Sequence, residues 1–344
     1  MRTMPAVRLH AVGTRPQVDQ VDVPEAGPDQ VRVRVRACGL CGSDVHLVHG
    51  VTPTGPLPLI LGHESAGVVD TVGERVTDWK AGDRVSVAAG YGCGECAACG
   101  RGAENQCARI TIPGIDVDGA QATYVVVPGR SLIALSDSVD FSVGAILTDA
   151  VATPFHAIRR AGVQAGDTVA VFGLGGLGLH AVSILRQVVG ARVIGVDVNQ
   201  AVLDRAVKFG ADEVVDASDG RPARALRAAG GVQHSFEFVG DPAVADQAVK
   251  ALAPGGTCTI VGLTPAPLQL LPQALLVSSE LRVQGAFGCT RDELVELVGL
   301  VADGRLDLNG TITHRFPLES FDEALRILET KEGDPIRVVV EQPA

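Results

Sequence analysis

Three things are scarce in this chain of 344 residues: aromatic side chains, surplus positive charge and long apolar runs. Aromatic residues make up 3%, with one tryptophan and two tyrosines, although a hydrophobic share of 46% is enough to fill ordinary cores. Lysine and arginine number 29 against 40 aspartates and glutamates, for a net charge of −11. Phosphate-rich partners are held by clustered Lys and Arg, so nucleic acids and anionic membrane surfaces are not expected as partners. No unbroken apolar run reaches membrane-spanning length. The first residues, Met1-Arg2-Thr3-Met4-Pro5-Ala6-Val7-Arg8, hold no apolar h-region, so no secretory signal is expected. Glycine, by contrast, is abundant at 41 residues, and the length suggests two domains rather than one. Half of the 8 cysteines sit in one tight cluster, which suits a metal and a reducing, cytoplasmic setting better than disulfides.

The chain is organised around Cys41-Gly42-Ser43-Asp44-Val45-His46 and Gly62-His63-Glu64. A thiolate and an imidazole are borderline-soft donors that suit zinc, and a catalytic zinc needs three protein ligands and one open position. Cys41 and His63 would be two of the ligands, with Glu64 beside them in reserve. Ser43 and His46 add a hydroxyl and an imidazole, the parts of a proton path to solvent. Singly, Cys41 reads as a buried small hydrophobe and His63 as a satisfied core histidine; together, ahead of a second cysteine cluster, they read as a site. Cys38 completes a Cys-x-x-Cys with Cys41 but is expected to be merely packed. The alternation Val31-Arg32-Val33-Arg34-Val35-Arg36 is a half-buried strand whose arginines form a solvated face.

Cys93, Cys96, Cys99 and Cys107 follow with spacing C-x2-C-x2-C-x7-C, and Gly94, Gly100 and Gly102 supply turns. Four thiolates can close a tetrahedron around a structural zinc; an iron–sulfur cluster uses the same ligands. Farther on, Asp167–Phe172 reads as a buried parallel strand leading into Gly173-Leu174-Gly175-Gly176-Leu177-Gly178 and a helix, and Arg192–Val196 as a second strand ending in Asp197. That context makes the G-x-G-x-x-G a dinucleotide fingerprint. Its glycines admit the pyrophosphate to the helix N-terminus, and Asp197 would bind ribose hydroxyls and repel a 2′-phosphate, so NAD is expected over NADP. Strands near 213–215, 234–239, 256–261 and 281–287 complete a doubly wound parallel sheet.

The paired cysteine motifs and the glycine-rich turn resemble the zinc-dependent alcohol dehydrogenases of the medium-chain dehydrogenase/reductase family, over essentially the whole chain. The resemblance implies an α/β protein: a GroES-like β-rich catalytic domain (1–148, with a structural-zinc lobe at about 90–110), a Rossmann NAD-binding domain (149–288) and a return to the catalytic domain (289–344). It implies two zinc ions, with Asp149 as third catalytic ligand beside Cys41 and His63, and zinc rather than iron–sulfur in the lobe. It implies a relay through Ser43, the nicotinamide ribose and His46, a role for Glu64 near the metal, and cofactor contacts from Thr153, Gly173, Gly175, Gly176, Leu177, Gly178, Asp197, Val239, Val261, Leu263 and Phe287. Pro154 departs from the glycine common at its position. The implied reaction is hydride transfer between an alcohol and NAD⁺, in a homo-oligomer, more often a tetramer than a dimer. Small residues at two wall positions, Thr52 and Ala89, with Ile112, Leu263 and Phe287 completing an apolar wall, imply bulky or secondary alcohols. Two rivals are a same-fold reductase of activated C=C or C=N bonds and a non-catalytic NAD(H)-binding zinc protein.

Overall fold

Alternating apolar and polar residues in the first third of the chain make β-strands. The computed structural model describes residues 2–343. Its strands run β1 (Thr3–Leu9), β2 (Gln17–Asp22), β3 (Gln30–Leu40), β4 (Leu59–Ile60), β5 (Glu64–Val72), β6 (Arg84–Val87), β7 (Tyr124–Pro128) and β8 (Leu132–Ala134). There follow β9 (Thr168–Phe172), β10 (Arg192–Asp197), β11 (Glu213–Asp216), β12 (Val232–Glu237), β13 (Leu252–Ile260) and β14 (Arg282–Gly285), then β15 (Ile312–Pro317) and β16 (Arg337–Glu341). Contacts divide the chain into two compact units. One holds the residues up to Ala152, Gly288–Asp303 and those from Leu308 onward; the other holds Thr153–Phe287 and Gly304–Asp307. The first break thus follows Ala152 rather than residue 148.

In the first unit a seven-stranded sheet has the order β15-β16-β3-β5-β6-β8, with β7 also pairing with β3; β2-β1-β4 form a second, smaller sheet. Along β3, Val31, Val33 and Val35 are buried while Arg32, Arg34 and Arg36 are half-exposed, and Arg32 pairs with Asp70. Cys38, on the same strand, is fully buried in the valine core and takes no part in a metal-like cluster. Strand β16 pairs with β3, Val338 opposite Leu40, so β16 lies beside the segment leading into Cys41.

The second unit is a six-stranded parallel sheet of order β11-β10-β9-β12-β13-β14. Strand order reverses between β9 and β12, and ligands of such sheets bind outside the carboxyl ends of the strands at that switch. Alanine and valine on β9 and β10 pack against the covering helices, with Phe172 and Ile194 in the core.

Residues 141–161 form one helix interrupted by a π-turn at Leu147–Val151, which carries Asp149. Proline cannot donate an N–H to the carbonyl four residues back, so Pro154 breaks the α ladder just where the widened turn ends. This helix is long and apolar enough to cross a membrane, but 83% of its most apolar window is buried within the protein, as befits a core helix.

Candidate functional site

Cys41 caps a short helix, Gly42–Val48. Its Sγ accepts the Ser43 N–H at 3.3 Å, and the Asp44 carboxylate reaches back to the Cys41 N–H at 2.9 Å. The thiol therefore sits at a helix N-terminus, where negative charge is favoured. His63 enters from the turn at Gly62, whose φ of +100° glycine alone adopts easily and where a Cβ would strike Gln121 and Cys38. Asp149 comes from the π-turn.

These elements bring Cys41, His63, Glu64 and Asp149 together in the first unit, one donor atom from each lying within 4.8 Å of the rest. Cys41 Sγ is 3.1 Å from His63 Nε2, and His63 Nε2 is 3.8 Å from Asp149 Oδ2. Donors at ~2.0–2.3 Å from a shared zinc lie three to four ångströms apart, so this set fits one ion. Burial opposes charge on His63, yet the negative potential of Cys41, Asp44 and Asp149 pushes its imidazole well above the usual range. The pocket is built to hold a cation.

Two residues of this site escaped the motif reading. Asp44 is fully buried, and its Oδ1 faces His63 Nδ1 at 3.7 Å, neither atom having another partner. A carboxylate behind the second nitrogen of a ligating imidazole fixes its tautomer and orientation. The signal was its place in the capping box of the Cys41 helix. Arg337, only 3% exposed, offers its guanidinium to both oxygens of Glu64. Glu64 is therefore tied down rather than loose in reserve, and burial still pushes it up to about 7 despite Arg337. Gly39 makes room for it, since a Cβ there would strike Glu64 Oε2. A charged residue at the start of the apolar run Val338-Val339-Val340 was the clue to Arg337.

Ser43 and His46 stand three residues apart on the Cys41 helix, neighbours on its surface, with Ser43 half-buried and His46 exposed. Thr52, Ala89 and Ile112 are half-buried residues of the same unit.

The four-cysteine lobe projects from a neck closed by the Tyr91–Thr111 bridge, each residue donating to the other at 3.0 Å. Its sulfurs are 3.5 Å (Cys96–Cys99), 3.7 Å (Cys96–Cys107) and 4.0 Å (Cys93–Cys99) apart. Four thiolates ~2.3 Å from a central zinc form a tetrahedron with edges of ~3.8 Å. One ion fits; the several metal and sulfide atoms of an iron–sulfur cluster do not. N–H groups of Cys93 and Arg109 point at Cys107 Sγ, that of Gly94 at Cys99 Sγ, and the Arg109 guanidinium lies 3.2 Å from Cys93 Sγ. N–H donation, chiefly from Glu95, holds Cys93 down to about 6. Gly94 and Gly102 do adopt positive φ, but Gly100 does not; Gly92 is the other glycine the lobe needs, because a Cβ there would meet Cys99 Sγ at 2.5 Å.

In the second unit the expected cofactor residues gather at one edge of the parallel sheet. Gly173–Gly178 follow β9, Asp197 ends β10, Val239 follows β12, Val261 and Leu263 follow β13, and Phe287 follows β14. Gly175 is exposed with open space where a Cβ would stand, and it caps the helix Gly176–Ile184, whose first N–H groups lack intrahelical acceptors. Gly178 lies so close to the Gly173 carbonyl that a side chain would strike it. Leu177 is half-buried, whereas Val239, Leu263 and Phe287 are apolar yet exposed. Asp197 has a second duty: it accepts the N–H of Leu174 at 2.8 Å, and those of Val198 and Asn199, pinning the glycine-rich turn to β10. Thr153, buried, opens this unit's helical segment.

Comparison with known proteins agrees with this geometry. Residues 27–137 match the alcohol dehydrogenase GroES-like domain and residues 176–303 the zinc-binding dehydrogenase domain. An alcohol dehydrogenase of Geobacillus stearothermophilus is 34% identical over 89% of this chain and 90% of its own. An NAD-dependent alcohol dehydrogenase of Saccharolobus solfataricus is 33% identical over 95% and 96%. A zinc-binding dehydrogenase from Sinorhizobium meliloti, solved bound to NADP, superposes with a TM-score of 0.91 at 32% identity, covering 99% of this chain and 100% of that one. With a GroES-like domain, a Rossmann-like sheet and two donor sets that fit zinc, the chain belongs to the zinc-dependent alcohol dehydrogenases of the medium-chain dehydrogenase/reductase family.

Proposed function

We propose that this enzyme, an NAD-dependent alcohol dehydrogenase, oxidises bulky or secondary alcohols reversibly to carbonyl compounds, with two zinc ions per chain. The observation that carries the reading is the convergence of Cys41, His63 and Asp149 into one buried, anionic donor set. When bound, zinc supplies a Lewis acid that acidifies the alcohol hydroxyl, and NAD⁺ supplies the hydride acceptor. Cys41, His63 and Asp149 would hold that metal, with a formal charge that cancels its own. Asp44 orients His63. Glu64, clamped by Arg337, sets the charge behind the site. Ser43 would take the alcohol proton while passing its own hydroxyl proton on, through the nicotinamide ribose, to His46, which is exposed on the same helix and would release it to water. Cys93, Cys96, Cys99 and Cys107 hold the second zinc in a site with no open position.

Asp197 makes NAD⁺ the preferred cofactor, because its carboxylate opposes a 2′-phosphate. Wild-type kcat/KM should favour NAD⁺ over NADP⁺ by about tenfold or more, or about 1.4 kcal/mol. Asp197→Gly should shrink that ratio and lower both values, since the turn loses its pin at Leu174. A wild type that prefers NADP⁺ contradicts the assignment.

Thr52 and Ala89 are small, half-buried residues of the catalytic unit, and on this reading they line a pocket wide enough for large substrates. Each additional buried methylene should contribute ~0.8 kcal/mol to transition-state binding. Bulky or secondary alcohols should therefore exceed ethanol in kcat/KM, and Ala89→Trp should reverse the order. A panel of alcohols with NAD⁺, followed by nicotinamide absorbance, tests this; preference for ethanol, or an unchanged ranking in the variant, sinks it. The four-cysteine cluster, read as metal ligands and not as disulfides, supports a reducing, cytoplasmic setting. A homo-oligomer is supported by the edge strand β14 and by the exposed Leu275 and Val277 of the helix Gln273–Ser278, which buries no residue; a tetramer before a dimer rests on the family resemblance alone.

A further inference from the structure

The parallel sheet buries a carboxylate that the reaction does not use. Glu237 is the last residue of β12 and is 1% exposed. Its Oε1 accepts the N–H of Val239 at 2.6 Å and of Gly240 at 2.8 Å. Its backbone carbonyl accepts the N–H of Val261 at 2.9 Å and of Gly262 at 3.0 Å. One residue thus holds the loops that follow both β12 and β13. The remaining oxygen, Oε2, is buried with no hydrogen-bond partner among the described residues, although the Asp241 N–H also favours the carboxylate. Gly262 leaves space for it: a Cβ at that position would come within 2.8 Å of Oε2.

The two loops are those that carry Val239, Val261 and Leu263. Val239 extends the chain of contacts, because a Cβ on Gly173 would lie 2.5 Å from Val239 Cγ2; the exposed valine covers the first glycine of the glycine-rich turn. The Phe238 N–H donates to the Phe172 carbonyl at 3.0 Å, so the β12 loop is also tied to the end of β9. Strands β9 and β12 are the pair between which strand order reverses, where a crevice for a ligand opens.

We propose that Glu237 is a positioning residue for the dinucleotide, its carboxylate setting the β12 loop through the N–H groups of Val239 and Gly240 and the glycine-rich turn through Val239. The assignment rests on the reading of this sheet edge as the NAD site. Glu237 touches no reacting atom, so its removal acts on cofactor affinity and leaves the chemical step alone. The role requires an acceptor at Oε1 and not a negative charge, so glutamine should serve.

The test is NADH affinity, by fluorescence titration of the zinc-loaded enzyme, for wild type, Glu237→Ala, Glu237→Gln, Glu237→Met and Gly175→Val. Melting temperature and zinc content serve as controls of folding. Glu237→Ala should weaken NADH binding about tenfold or more and raise KM for NAD⁺, with kcat at saturating cofactor little changed. Glu237→Gln should stay within about threefold of wild type. A folded Glu237→Ala with unchanged affinity overturns the proposal, as does a glutamine variant as weak as the alanine one. Should Glu237→Ala not fold, Glu237→Met, similar in size but without the acceptor, decides: a severalfold loss of affinity supports the role of Glu237, and unchanged affinity overturns it. Gly175→Val tests the site itself. If that variant binds NADH as wild type does, the cofactor reading fails; if it loses binding while Glu237→Ala keeps it, only the role of Glu237 fails.

Discussion

Replacing Asp149 by alanine is expected to empty the site of Cys41 and His63 of zinc while the four-cysteine lobe keeps its own, and to lower kcat/KM for alcohol oxidation about 1,000-fold or more. The magnitude follows from the Lewis acid, which supplies several kcal/mol to the transition state, at about 1.4 kcal/mol for each factor of ten. With one donor gone, Cys41 and His63 remain 3.1 Å apart with only Glu64 at hand, and both oxygens of Glu64 are engaged by Arg337. Substitution of Asp149 by the bulkier glutamate should restore part of the metal affinity, because a carboxylate oxygen is again within reach. Metal analysis together with initial rates distinguishes the outcomes. A variant that keeps both zinc ions and near-normal turnover would show that Asp149 is not a ligand, and that Glu64 has left Arg337 to take its place.

Replacing Cys96 by serine is expected to cost one zinc ion and the stability of the lobe. Cys96 Sγ stands 3.5 Å from Cys99 Sγ and 3.7 Å from Cys107 Sγ, so its removal opens two edges of the tetrahedron. The lobe has little else to hold it. Apart from Ala98, Asn105 and Cys107, residues 93–110 are exposed or half-exposed, and their helical pieces are one turn long. Binding free energy at a closed zinc site is folding free energy. A loss of at least about 3 kcal/mol is expected, which lowers Tm by roughly 6–12 °C in a unit of this size. Activity should fall indirectly, with the catalytic zinc still present. Thermal melting and metal content measure both effects; an unchanged Tm with the full zinc complement would mean that the lobe is held by something other than the metal.

Much of this was legible in the chain itself. Four cysteines at that spacing read as a metal lobe, and the family resemblance, not the spacing, favoured zinc over an iron–sulfur cluster. The glycine-rich turn was readable because strand, turn, helix and acidic strand end occur in sequence, and the parallel order of the strands followed. The valine–arginine alternation gave β3 its two faces. What escaped was contact across sequence distance. Glu64 and Arg337 lie far apart along the chain and meet only because β16 pairs with β3 beside β5. Asp44 was inside a quoted motif, but its role depends on the direction of the His63 ring, which no spacing reports. Asp197 read as a ribose acceptor; that it also pins Leu174 required the turn's backbone to be seen. Glu237 is one of several polar residues in β12, and only the loops folded over it reveal its bonds.

The central claim is that an alcohol delivers hydride to NAD⁺ at a zinc held by Cys41, His63 and Asp149. The direct measurement is alcohol-dependent formation of NADH by the purified enzyme as isolated, after one zinc is removed from the site of Cys41, His63 and Asp149, with metal analysis to identify the loss, and after that zinc is restored. Turnover with bulky or secondary alcohols should vanish with that zinc removed, while the lobe's zinc stays bound, and return when zinc is added. Full turnover by the stripped enzyme, or no NADH from any alcohol with both zinc ions in place, would contradict the account.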